Sequence, residues 1–217
     1  MKKAFTVMEL MFIIIVIGIL AAVVMPRMER DVVREAAIQL VSHIRYTQHL
    51  ALVDDRYNKD DADWYRSRWQ IIFENNADSG GEESYTIFSD NPDYSGHAGA
   101  NEIATNPQDK SKKLTGGTNG VSYDNAAATR SMNLGIKYGI VDVNLTDSCK
   151  FSSSKRIAFD HLGRPLKGDL SNATTYMSPY PNSNRIITSN CDITLSDGTE
   201  SVTIRITPET GYTYILN

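Results

Sequence analysis

Histidine and cysteine are scarce in this chain of 217 residues, and the spacings that would make chemistry of them are missing. The four histidines, His43, His49, His97 and His161, stand alone. His43 and His49 are six apart, so they do not share a helix face as i, i+4 ligands do. There is no HExxH pair, no Gly-x-Ser-x-Gly elbow and no phosphate-binding loop. The expectation is a protein that is not an enzyme and holds no metal or cofactor. Basic charge is also short, with 22 Lys and Arg against 26 Asp and Glu, a net charge of −4. A mildly acidic protein is a poor non-specific ligand for nucleic acid or anionic lipid. The last seven residues, Gly211 to Asn217, contain no base, so nucleic acid is not an expected partner. Only Cys149 and Cys191 are available for a disulfide. In an oxidising compartment the pair would close a long loop, a contribution of roughly 4 kcal/mol in the chain-entropy model. Two buried free thiols are the other reading.

What is present is concentrated at the start. Lys2 and Lys3 precede an apolar stretch from Phe5 to Met25, followed by Pro26. The stretch holds one charge, Glu9. At 1.5 Å per residue such a helix just spans a hydrocarbon core of about 30 Å, which predicts a transmembrane helix over 5–25. A carboxylate inside it costs roughly 2.5–3.5 kcal/mol on insertion scales, so Glu9 needs a partner. A secretory signal peptide is one rival, but Gly18, Ala21 and Ala22 form no small-x-small cleavage site. A plain anchor is another, and it leaves Glu9 unexplained.

Phe5-Thr6-Val7-Met8-Glu9-Leu10, the basic leader before it and Pro26 after it resemble the N-terminus of type IV prepilins and type II secretion pseudopilins. The resemblance implies that residues 1–4 are a leader, cut by prepilin peptidase between Ala4 and Phe5, with N-methylation of Phe5. It implies that Glu9 meets the N-terminal amine of a neighbouring subunit during filament assembly, and that Pro26 loosens or kinks the helix. Ala4 departs from the family, which usually has glycine there. Loss of Lys2 and Lys3 with the leader would take the charge from −4 to −6.

Beyond Pro26 the apolar residues Val33, Ala36, Ala37, Leu40, Val41, Ile44 and Ala51 recur at helical spacing among charges. Residues 26–54 are therefore expected to continue the first helix as an amphipathic half, about 75 Å in all over roughly 50 residues. Residues 55–217 then form a β-rich globular head. Asp54 to Asp63 contains five Asp, yet it lacks the Gly and Glu of an EF-hand loop and reads as a solvated turn. Short aromatic and β-branched runs begin at Trp69 and Tyr85. Residues 90–130 are poor in large aliphatics and read as a long loop. Asn133 to Leu145 alternates, with one slip, and predicts a strand or a bulged pair. Asp197-Gly198 marks a hairpin.

Phe159-Asp160-x-x-Gly163-Arg164-Pro165, then a strand, Asp-Gly and a strand, then Thr207-Pro208-x-Thr210-Gly211, resemble the tail of GspH/FimT-like minor pilins. Arginine in the Gly163-Arg164-Pro165 turn reads as pinning that turn. The fold class expected is thus α+β and pilin-like: a long N-terminal helix, its first half transmembrane, packed on an antiparallel head. The function implied is that of a minor pilin or pseudopilin, a structural subunit of a type IV pilus or type II secretion pseudopilus. Its partners would be other pilins or pseudopilins, prepilin peptidase and an inner-membrane assembly platform. Its location would be the bacterial inner membrane, head in the periplasm, and then the filament. A DNA-binding competence pilin, a major pilin and a signal-anchored periplasmic domain are the alternatives.

Overall fold

In a computed structural model of the chain, the residues described are 6–24, 31–54, 56–171 and 185–216. The chain divides into two compact units, Met1–Asp31 and Val32–Asn217.

The first unit contains one helix, α1 (Val7–Val24). Its sequence is apolar all round, so no face is set apart to lie on a core. The second unit opens with α2 (Val32–Val53), which buries Val33, Ala36, Ala37, Leu40, Val41, Ile44, Thr47 and Ala51 along one stripe. The remaining elements are β1 (Trp69–Glu74), β2 (Ser84–Ser89), α3 (Leu134–Tyr138), β3 (Asp142–Leu145), β4 (Arg156–Phe159), β5 (Pro165–Lys167), β6 (Cys191–Ser196), β7 (Ser201–Ile206) and β8 (Thr213–Ile215). They form two four-stranded antiparallel sheets, ordered β2-β1-β4-β5 and β3-β6-β7-β8. Alternate residues of both sheets point to a single core with the α2 stripe, among them Ile71, Ile87, Phe159, Ile193 and Ile204.

The fold class is α+β with antiparallel sheets, but three expectations are overturned. Among the described residues no single helix runs over 5–54: the helical residues there fall in α1 and α2. Among the described residues no helix is long and apolar enough to cross a membrane. The described part of α1 holds 18 residues, about 27 Å at the helical rise. The 22 residues of α2 carry Arg34, Glu35 and Arg45. The transmembrane helix over 5–25 and the single-pass inner-membrane location are corrected on this finding. The third correction concerns Asn133 to Leu145. Leu134–Tyr138 is a short helix, not a strand, and strand begins only at Asp142. Asn133 starts that helix, its side chain accepting the Ile136 N–H at 2.9 Å, and Gly139 ends it at φ 68°. Leu134 and Tyr138, four apart, are both buried.

The long loop has a structural role that its composition hides. It runs along the free edge of β2, where Gly116 N–H donates to Tyr85 O, Ile87 N–H to Leu114 O and Ala104 N–H to Ile87 O. It also roofs the outer face of the first sheet, where Ile72 and Phe88 meet Ala98, Ile103, Val121 and Ala128. This explains why β1 is apolar on both faces: Ile71 and Phe73 point to the main core and Ile72 to the loop. An edge covered in this way cannot template pairing with another chain.

Candidate assembly surface

Two residues organise the start of α1. Glu9 Oε2 accepts the Thr6 backbone N–H and the Thr6 hydroxyl, each at 2.9 Å, and the Thr6 hydroxyl accepts the Glu9 N–H at 3.3 Å. This is a capping box, with Thr-x-x-Glu satisfying orphan donors reciprocally at a helix N-terminus. The resemblance assigns Glu9 to a neighbour, whereas this local role is legible in the Thr-x-x-Glu spacing. The carboxylate also lies where the positive end of the helix dipole favours an anion. Ala4 and Phe5, the expected cleavage and methylation positions, and Pro26, the expected kink, lie outside the described residues.

Beyond the cap, every described side chain of α1 to Ala21 is exposed. Val7 keeps 78% of its surface, Phe12 71% and Ile17 59%. Fully burying a side chain of this kind contributes about 1.5–3 kcal/mol. A contiguous apolar surface of this size on a folded chain marks an interaction site.

The Gly163-Arg164-Pro165 turn of the second unit is tied to α2. Asp160 is fully buried, and its Oδ1 accepts the backbone N–H of Leu162 at 2.9 Å and of Arg164 at 2.8 Å. Its Oδ2 accepts Arg164 Nε at 2.7 Å. Gly163 sits at φ 78°, which suits a residue without a Cβ. From α2, Gln48 Nε2 donates to Gly163 O and to Thr210 O, both at 2.8 Å. One amide thus fastens the Gly163-Arg164-Pro165 turn and the Thr207–Gly211 turn to the helix. Gln48 carries no sequence signal for this, because its two partners lie 115 and 162 residues away.

A second polar group lies along α2. Gln39 Nε2 donates to the Tyr85 hydroxyl at 2.8 Å, and His43 Nδ1 lies 2.7 Å from the same oxygen. The Tyr138 hydroxyl donates to Gln39 Oε1 at 2.9 Å. Burial pushes the His43 imidazole down to about 4 and the fully buried Tyr85 phenol well above its usual range. Both are therefore neutral near pH 7, and Tyr85 O–H donates to a His43 Nδ1 that accepts. This group fills the polar needs of a helix–sheet seam.

Cys149 and Cys191 are disulfide-bonded, with Cα atoms 5.0 Å apart, joining the turn after β3 to the start of β6. Next to it, Arg205 grips Asp192 with two hydrogen bonds of 2.7 and 2.8 Å and holds that carboxyl below its ordinary value. The C-terminal strand lacks a base of its own, but Arg45 reaches over from α2. Its guanidinium donates to Thr213 O at 2.6 Å and stands 5.6 Å from the Tyr212 ring centroid. The Asp54–Asp63 stretch is a turn in which Asp61 accepts the Asp63 N–H at 2.8 Å and the Tyr94 hydroxyl. Comparison with protein families, with curated proteins and with solved structures finds no match.

Proposed function

We propose that this chain is a minor pilin or pseudopilin, a structural subunit that co-assembles with like subunits into a type IV pilus or type II secretion pseudopilus. The observation that carries the reading is α1: an all-round apolar helix, exposed along its described length, with Glu9 as its sole charge. A helix with no polar face is suited to the centre of a bundle of like helices, where apolar burial comes from every side. The capping box holds the Glu9 carboxylate at the head of the helix. A carboxylate has about four acceptor positions, so it can serve Thr6 and a neighbour's ammonium together. A neighbour's amine, buried on assembly, would otherwise be left as an uncompensated charge. The disulfide agrees with folding in an oxidising compartment.

The DNA-binding alternative has less behind it. Arg45 over Tyr212 is one cation already hydrogen-bonded to backbone, on a chain of net charge −4. Phosphate binding needs several such cations along a track.

The test is the intact mass and N-terminal sequence of the protein recovered from its own cells. A chain beginning at methylated Phe5 is the expected result. A chain beginning at Met1, or cut between Val23 and Arg27, would overturn the assembly reading.

A further inference from the structure

Three carboxylates far from α1 converge in the loop that roofs the first sheet. Asp90 directly follows β2, Asp93 lies three residues on, and Glu102 returns just before Ile103 bridges back to Phe88. One carboxylate oxygen of each lies within 4.8 Å of those of the other two. Asp90 is the informative member. It is 0% exposed; its Oδ2 accepts the Gly96 N–H at 2.9 Å, and its Oδ1 is buried with no hydrogen-bond partner. Glu102 stands beside it, partly buried, with Oε2 accepting the Gly99 N–H at 2.7 Å. Carboxylate oxygens out of water need a donor or a cation, and the exposed Asp93 brings a third negative charge beside them.

Nearby protein charges do not meet that need. Arg156 is committed elsewhere, with Nη1 on Asp169 at 3.0 Å and Nη2 on Gly96 O. Arg185 acts on Asp169. Both guanidinium groups are thus engaged with Asp169.

We propose that Asp90, Asp93 and Glu102 hold a divalent cation, with Ca2+ the ion that fits. The donors are all oxygen, which selects a hard cation. They come from an irregular loop, which suits the flexible coordination of Ca2+ by 6–8 oxygens better than the rigid octahedron of Mg2+. Such an ion would cross-link the two ends of the segment from Asp90 to Glu102. It would fix the roof over Ile72 and Phe88.

The test is isothermal titration calorimetry on the full chain in detergent, stripped with a chelator, using Ca2+ and then Mg2+. The expected result is a single Ca2+ per chain, with Mg2+ at least roughly tenfold weaker. Asp93 is exposed, so Asp93→Asn should leave the fold intact by circular dichroism while weakening Ca2+ by roughly tenfold or more. Glu102→Gln should do the same. Absence of Ca2+ binding in the unaltered chain would overturn the proposal. So would Ca2+ binding that neither substitution changes. Neither failure would touch the assembly reading, because none of these residues belongs to α1.

Discussion

Acid should weaken the Val32–Asn217 unit through His43, and His43→Asn isolates that effect. The imidazole Nδ1 accepts from Tyr85, whose oxygen already accepts from Gln39, so a neutral ring completes the chain of donors. Burial holds its pKa at about 4 against an ordinary 6.5. A basic group whose pKa is depressed on folding binds its proton more tightly in the unfolded state. Stability is therefore fully present above the ordinary value and falls as the pH drops from 6.5 towards 4. Proton linkage between those two values removes about 2 kcal/mol on going from pH 8 to pH 5. For a domain of this size that is a fall in Tm of roughly 4–8 °C. Asparagine keeps a polar atom near the Nδ1 position and does not titrate. Its effect on the helix is the same at both pH values and cancels. Other groups contribute too: Asp90, whose carboxyl is raised to about 6, gains stability on acidification. The quantity to measure is therefore the difference in Tm between pH 8 and pH 5, compared between the two chains. The unaltered chain should lose about 2 kcal/mol more than His43→Asn. Equal losses in both would refute the argument that burial keeps this ring neutral.

Two further outcomes follow from the second unit. Replacing Cys149 and Cys191 together by serine opens a loop with a sequence separation of 42 residues. Urea unfolding should show a loss of about 4 kcal/mol if loop entropy is the main term. Gly211→Ala should destabilise far more than Gly198→Ala by thermal melting, although both positions have positive φ, 64° and 93°. Both meet the left-handed cost of about 1–2 kcal/mol, but only at Gly211 does a Cβ fall 2.6 Å from a backbone oxygen, that of Gly163. At Gly198 the nearest atom is Val141 Cγ2 at 3.8 Å. Comparable losses at the two sites would refute the close-approach argument.

Much of the local order could be read without coordinates because its signals lie close together in the chain. The α2 stripe follows from the spacing of Val33, Ala37, Leu40 and Ile44, and the β6–β7 hairpin from Asp197-Gly198 between alternating residues. Leu134–Tyr138 reads as strand in sequence because Leu134, Ile136 and Tyr138 alternate. Five residues hold too few turns to show a helical period, and the Asn133 cap and the Gly139 stop decide the matter. The apolar stretch after Phe5 was plain in sequence, but its extent as helix was not. Its apolar residues reach Met25, and the described helix within them is α1, Val7–Val24.

The sequence by itself determined what depends on neighbours a few residues apart. That covers an all-round apolar helix headed by Thr6 and Glu9, an amphipathic second helix, and short strands broken by turns. Only the tertiary structure decided what depends on residues far apart meeting in space. Gln48 fastens two turns more than a hundred residues away, and the long loop proves to be the roof and edge cover of β1 and β2. The five aspartates of the Asp54–Asp63 stretch read as a solvated turn. The carboxylates that converge are Asp90, Asp93 and Glu102, at spacings of three and nine that no linear pattern marks. Local spacing fixes which face of an element is apolar, because helix and strand have fixed periods. Which side chains share a buried volume is set by chain closure over long separations, and no period records that.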